Sequence, residues 1–176
     1  MIIDLTTLLN KREAKVNFDF DLTSDMIEDC PELPFDITLD GPVKVSGTVF
    51  DNDKFLKLTA TVSAKYDTVC DRCLTELSDE ISFGFERYVA PASIDTEELG
   101  IDEEDILPVS EGGVDISRDV FEALCLELPI YHLCSEDCEG LCDVCGKPVK
   151  GGCTCKKEKE IDPRMESFQK ILAKMK

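Results

Sequence analysis

Six of the ten cysteines lie between Cys134 and Cys155, in a stretch of 22 residues that reads CSEDCEGLCDVCGKPVKGGCTC. Two more form the pair Cys70-x2-Cys73 far upstream. Thiolates at these short spacings are typical ligands of structural zinc, which binds four of them tetrahedrally with Zn–S bonds of about 2.3 Å. The predicted ligands, enough for two structural Zn ions, are Cys70, Cys73, Cys134, Cys138, Cys142, Cys145, Cys153 and Cys155.

Disulfides are the competing use for ten cysteines, and an even number does not exclude them. The N-terminal sequence MIIDLTTLLNKREAK has no basic n-region, no long apolar run and no small-residue cleavage site. We therefore expect a cytoplasmic, reducing environment, in which zinc is favoured over disulfides. Gly146 follows the second cysteine of its pair, where a left-handed backbone is common in zinc knuckles. An iron–sulfur cluster fits less well, because glycine-rich knuckles are typical of closed structural sites.

The charge of the chain bears on its partners. Net charge is −19, which argues against a surface laid along bare phosphate, since nucleic-acid binding depends on Lys and Arg. Residues 143–176 are different, with nine Lys and Arg against five acids. These cations either balance negatively charged metal sites or contact RNA, and both readings stay open. No apolar run approaches the roughly 18 residues that a membrane span needs.

Strands must position the upstream pair. Alternating apolar and polar residues predict a long hairpin, from Val43 to Phe50 and from Leu56 to Tyr66, and a further strand around Ile81 to Val89. Cys70 and Cys73 then occupy a turn between two antiparallel strands. Because two thiolates do not close a zinc site, this pair needs partners from elsewhere in the chain.

The fold class predicted is α+β, with an antiparallel sheet or partly open barrel over residues 15–90, a packed helix and a Cys-rich zinc-knuckle module. We divide this compact unit into five parts: a β-rich body (1–90), an acidic loop (91–113), a strand and helix packing on the body (114–130), the zinc module (131–157) and a C-terminal helix (158–176). The acidic loop is expected to be mobile, because it has eight acids and no Lys or Arg.

Individual residues carry further predictions. A short helix is expected over Ile2 to Leu9, and a strand over Phe35 to Leu39. Ser117 is placed to cap the helix that Pro129 ends. Cys125 lies on the apolar face of that helix and is expected in the core, whereas Cys30 is not expected to be a ligand. His132, the only histidine, is expected either to support a neighbouring metal ligand or to be purely structural, rather than catalytic.

Several motifs together resemble the YceD family, the large ribosomal RNA subunit accumulation proteins of bacteria. They are CDRCL followed by a strand, an acidic gap, a helix ending in LELP, the block LCSEDCEGLCDVCG and a terminal DPRM helix, and the resemblance runs from about residue 35 to the end. It implies a role in synthesis, processing or accumulation of 23S ribosomal RNA. Some family members keep counterparts of the pairs at 70/73 and 134/138 but lack the later four cysteines. That difference suggests one Zn on the first four cysteines and the second on the last four.

The resulting hypothesis is a non-enzymatic zinc-binding factor in large-subunit ribosome biogenesis, acting through a ribosomal protein, an RNA or a processing-enzyme partner. One alternative is a zinc-dependent hydrolase or RNA-processing enzyme. Catalytic zinc keeps an open position and commonly uses His or carboxylate ligands, whereas eight cysteines fill two closed sites here. A second alternative is a thiol oxidoreductase that uses Cys70 and Cys73.

Overall fold

The computed structural model describes residues 2–26, 32–34, 36–52, 55–90, 105–151 and 153–155. The strands are β1 (Ile2–Asp4), β2 (Lys15–Leu22), β3 (Thr38–Leu39), β4 (Val43–Asp51), β5 (Leu56–Val69), β6 (Glu76–Ala90), β7 (Ile106–Pro108) and β8 (Gly113–Asp115). The α-helices are α1 (Thr6–Leu9) and α2 (Ser117–Glu127), and single 3-10 turns lie at Ser24–Met26 and Val149–Gly151.

A six-stranded sheet forms the body, in the order β2-β4-β5-β6-β7, with β3 paired to β5. All its pairings are antiparallel except that β7 runs parallel to β6, so the sheet is mixed. The α+β class is confirmed. β5 and β6 pair without interruption from Leu56↔Val89 to Val69↔Glu76. This long hairpin places Cys70 and Cys73 in the turn at its end, as the alternating sequence predicts.

One face of the sheet carries the core. Along β5, Leu58, Ala60 and Val62 are buried, whereas the threonines between them are more exposed, because neighbouring side chains of a strand point to opposite faces. α2 contributes Val120, Phe121 and Leu124 to the same core. The sheet and α2 therefore form one packed unit beneath the cysteine-bearing turn.

The prediction of a helix from Ile2 was wrong at its start. Ile2 and Ile3 belong to β1, which pairs antiparallel with β8. The helix begins only at Thr6, whose backbone N–H donates to Asp4 Oδ1 at 2.8 Å. The apolar spacing suits both structures, and the pairing with β8 more than 100 residues away favours the strand.

Two further local predictions need correction. Ser117 is not the N-cap of α2; it is buried in the first turn, and its backbone N–H donates to Asp115 Oδ1 at 2.9 Å. The carboxylate two residues earlier thus takes the capping role. The strand expected over Phe35 to Leu39 contains only Thr38–Leu39, and Phe35 itself lies outside the described residues.

The acidic loop assigned to 91–113 contains regular structure at its end. Ile106–Pro108 pairs with β6, and Leu107 is buried in the core. Residues 91–104, Cys30 and the predicted helix at 158–176 lie outside the described residues. The division into five parts therefore stays a prediction. Among the described helices, none is long and apolar enough to cross a membrane.

Gly47 tests the close packing of the central strands. A Cβ there would lie 2.4 Å from the Thr59 carbonyl oxygen and 2.7 Å from Ala60 Cα. Gly47→Ala should therefore lower the free energy of unfolding by about 1–3 kcal/mol, measured by urea denaturation. Gly84→Ala in β6 is the matched control, since a Cβ there meets nothing within 4 Å. Equal stability of the two variants would contradict the close approach of β4 and β5.

Candidate metal centre

Two turns of the chain have the same construction. In the first knuckle, Cys70 N–H donates to the Thr75 carbonyl at 2.9 Å and Leu74 N–H donates to the Cys70 carbonyl at 2.8 Å. In the second knuckle, Cys142 N–H donates to the Lys147 carbonyl at 2.8 Å and Gly146 N–H donates to the Cys142 carbonyl at 2.8 Å. Both cysteine pairs, 70/73 and 142/145, are therefore held on the same folded turn.

The residue after each pair has a left-handed backbone. Gly146 has φ of +67°, as predicted, and Leu74 has φ of +57° at the same position of the first knuckle. Glycine adopts this conformation without strain, whereas a side chain there costs roughly 1–2 kcal/mol. The first knuckle thus has a leucine at the position where the second knuckle has glycine, the residue that suits a left-handed backbone.

The first group of sulfurs brings together two cysteine pairs about 60 residues apart in the chain. The Sγ atoms of Cys70, Cys73, Cys134 and Cys138 all lie within 4.8 Å of one another. Cys70 Sγ is 3.8 Å from Cys138 Sγ, and Cys73 Sγ is 3.6 Å from Cys134 Sγ. A tetrahedron with Zn–S bonds of about 2.3 Å has edges of about 3.8 Å. The group therefore has the size of a tetrathiolate metal site.

The second group is local. It consists of Cys142, Cys145, Cys153 and Cys155, whose Sγ atoms also lie within 4.8 Å of one another. Cys145 Sγ and Cys153 Sγ are 3.5 Å apart. A short β-bridge between Leu141 and Pro148 closes the turn that carries Cys142 and Cys145. This group depends on fewer than 15 residues of chain, and it could hold a second ion.

Hydrogen bonds from backbone N–H groups lower the pKa of Cys70 in the first group and of Cys142 in the second. The backbone N–H of Cys134 donates to Cys70 Sγ at 3.4 Å and is the main cause that lowers the pKa of Cys70 to about 6. The backbone N–H groups of Cys145 and Val144 lower the pKa of Cys142 to about 6.

In each group the pKa of another cysteine is raised, so that this thiol holds its proton more tightly. Hydrogen bonds with Cys138 and then Cys73 raise the pKa of Cys134 to about 12. Those with Cys145 and then Cys153 raise the pKa of Cys155 to about 12. Each group thus combines a stabilised thiolate with thiols that hold their protons. A divalent cation would displace these protons and balance the thiolates, as metal binding to cysteine requires.

Side chains of the first knuckle join it to the C-terminal module. The Asp71 carboxylate accepts a hydrogen bond from the backbone N–H of His132 at 2.7 Å, and the backbone N–H of Asp71 donates to the His132 carbonyl at 2.9 Å. Arg72 Nη1 donates to the Cys138 carbonyl at 3.0 Å. His132 is buried and packs edge to face on Tyr66, with centroids 5.6 Å apart, so its observed contacts are structural.

Asp71 and Arg72 were missed at the sequence level. Their signal was the presence of two charged residues inside a turn of four, CDRC, whose cysteines are buried. Polar side chains in such a turn commonly bond to backbone groups of a neighbouring segment. Which segment they would reach could not be predicted, because it lies about 60 residues away.

The structure places all eight predicted ligands in two groups of four, with the same partition that the sequence suggested. Such all-sulfur groups suit zinc, and the identity of the metal remains a prediction. Cys125 was expected in the core, but it is only half-buried and lies apart from both groups, with its Sγ 3.9 Å from the Glu32 carbonyl. No two cysteines within the described residues are joined by a disulfide.

The fold and these groups define a class: an α+β protein in which the turn at the end of the sheet supplies half of a four-cysteine group that could hold a metal ion, and the C-terminal module supplies the rest. The chain belongs to the YceD family. The family model described as "Large ribosomal RNA subunit accumulation protein YceD" matches residues 58–174, a range that contains all eight cysteines of the two groups. The match begins later than the residue 35 expected from the motifs.

Several relatives are uncharacterized proteins. YlbN of Bacillus subtilis is 28% identical over 159 residues, which is 90% of each chain. Rv2926c of Mycobacterium tuberculosis is 30% identical over 115 residues, which is 65% of this chain and 55% of that protein. ML1660 of Mycobacterium leprae is 27% identical over 105 residues. The chain thus spans about half the length of the mycobacterial relatives it matches. No solved structure matches the chain.

The partition of the ligands can be measured by zinc content. We expect about two Zn per wild-type chain and about one in either Cys70→Ser/Cys73→Ser or Cys142→Ser/Cys145→Ser, because each change removes half of one tetrahedral site. Metal analysis of purified protein gives the ratio, with Cys125→Ser as the control that retains both ions. A Cys70→Ser/Cys73→Ser protein that still holds two would disprove the partition.

Asp71 should hold the two halves of the first site in place. Asp71→Ala removes the acceptor for His132 N–H, so the affinity of the first site for zinc should fall about 10–100-fold. Asp71→Asn should lose less, because its side-chain carbonyl can accept the same bond. Competition with a chromophoric chelator measures both sites, and the second serves as internal control. Equal weakening of both sites would argue against this role.

Proposed function

We propose that this protein is a non-enzymatic, zinc-binding factor of large-subunit ribosome biogenesis that supports the accumulation of 23S ribosomal RNA. The observation that carries the proposal is the family match over residues 58–174, since that family is described by large ribosomal RNA subunit accumulation. The relatives reported above are themselves uncharacterized proteins, so the proposed role rests on the family description.

Zinc is proposed because each group offers four sulfurs at tetrahedral spacing. Soft thiolate ligands in such an arrangement favour zinc or iron–sulfur, and glycine-rich knuckles favour a closed structural zinc site. A site with four protein ligands leaves no position for a substrate or an activated water. The hydrolase alternative is therefore the less supported one.

The oxidoreductase alternative also has less support. The lowered pKa of Cys70 would suit a reactive thiolate, but the Cys70 side chain is completely buried beneath the module. A reactive cysteine must be reached by its substrate. A structural role, in which the thiolate binds a cation, accounts for both the low pKa and the burial.

The proposed mode of action is binding, in the cytoplasm, to a protein or RNA component of the assembling subunit. A site that joins the sheet to the small module would fix a surface to which a partner can bind. The net charge of −19 favours a cationic partner over bare phosphate. The basic residues of 143–176 leave an RNA contact possible at that end of the chain.

The test is depletion of the protein in its own host. We expect the ratio of mature 23S to 16S ribosomal RNA to fall. Without the proposed factor, 23S RNA would be lost, whereas 16S RNA of the small subunit would be unaffected. Expression of the wild-type chain or Cys125→Ser should restore the ratio, and Cys70→Ser/Cys73→Ser should not. An unchanged ratio after full depletion would refute the proposal.

A further inference from the structure

A group of large apolar side chains is exposed beside the first metal group. Leu126, Ile130 and Tyr131 are 86%, 88% and 76% exposed, and Leu74 is 62% exposed. Together with the more shielded Leu133, these five residues form what we call the apolar patch. Single exposed apolar residues are common, but contiguous ones usually mark an interaction surface.

Observed contacts join the two segments of the chain that carry these residues. The segment from Leu126 to Leu133 is anchored by the buried side chains of Leu128 and His132, and His132 is bonded to Asp71 of the first knuckle. Leu74 follows Cys73 and Leu133 precedes Cys134, and the Sγ atoms of these two cysteines are 3.6 Å apart. The first metal group thus holds both segments of the patch together.

The backbone of Leu74 provides an independent observation. Its left-handed conformation favours glycine, which the second knuckle has at Gly146. The Leu74 side chain gains little from burial in return, because most of it is exposed. Strain kept without a packing gain points to a role outside the fold. Presentation of an apolar side chain at the surface is such a role.

The charges around the patch indicate what it binds. Residues 117–146 contain seven acidic side chains and one basic one, Arg118, which is paired with Glu122 at 2.8 Å. Two further cations lie nearby: the Arg72 guanidinium is bonded to the Cys138 carbonyl, and Lys150 Nζ donates to Ser135 Oγ at 2.8 Å, beside Cys134. The acidic side chains outnumber these cations. A metal ion bound by four thiolates would add further negative charge. The surroundings therefore attract cations and repel phosphates.

We propose that the apolar patch is the docking surface for a cationic polypeptide segment, one that inserts apolar side chains and carries Lys or Arg around them. The inference rests on the proposed function as a binding factor and specifies its partner as a protein. RNA lacks the positive charge and the aliphatic anchors, and a second copy of this acidic chain would be repelled.

The probe is a synthetic amphipathic peptide of about 18 residues, built from Lys and Leu at helical spacing, with oligolysine of equal charge as the apolar-free control. Binding to the full-length zinc-loaded protein is measured by fluorescence anisotropy. We expect Leu126→Ser/Ile130→Ser/Tyr131→Ser to weaken binding of the Lys–Leu peptide at least about tenfold, as loss of central apolar anchors does. Oligolysine should bind weakly and equally to both proteins.

Two further variants separate docking from folding. Leu74→Gly should weaken peptide binding while it keeps the zinc content and keeps the melting temperature at or above that of the wild type, because glycine suits the backbone. Ile2→Ser/Leu9→Ser removes exposed apolar side chains elsewhere and should bind as the wild type does. A lower melting temperature of Leu74→Gly would assign Leu74 to the core and overturn its role.

Other occupants of the patch give different outcomes. No binding of the peptide to the full chain would overturn the proposal, as would a dimer that the triple serine variant disperses. Patch-dependent binding of a single-stranded RNA oligonucleotide at about 150 mM salt would also overturn it, in favour of RNA. Peptide binding and the cellular ratio of 23S to 16S RNA are separate measurements. The docking inference can therefore fail while the proposed function stands, and the proposed function can fail while the peptide still binds.

Discussion

The junction between the β5–β6 turn and the C-terminal module is the constraint on which the candidate site depends. Four sulfurs approach to 3.6–3.8 Å across about 60 residues of intervening chain, and Asp71 and His132 bond beside them. Four thiolates so close repel one another unless protons or a cation lie between them. Structural zinc contributes on the order of 10 kcal/mol to such sites, far more than the entropy of closing the loop.

The two knuckles have the same hydrogen bonds but different supports. The first stands at the end of the 14-residue strand β5 and the 15-residue strand β6, so the sheet fixes its orientation. The second has only short turns around it, closed by the bridge between Leu141 and Pro148. The first group therefore orients the module on the sheet, whereas the second determines the module's own local shape.

In the proposed binding factor, a metal ion held in such groups would be structural and would take no part in chemistry. All four protein positions of each group are sulfur, and the surrounding bonds of Asp71, Arg72 and His132 connect backbone segments. Ile130 and Tyr131 on one of the joined segments and Leu74 on the other are all exposed. The family to which the chain belongs is described by large ribosomal RNA subunit accumulation.

Features that depend on near neighbours could be predicted from the sequence: the β4–β5–β6 strands with their cysteine turn, helix α2, the glycine at 146 and the eight thiols. Their signals are periodicity and spacing within a turn or a hairpin. Only the tertiary structure placed Ile2 and Ile3 in a strand with β8, joined Asp71 to His132 and left Leu126 and Ile130 in solvent. These outcomes depend on packing between segments distant along the chain, and the same local pattern of apolar residues suits either burial or exposure.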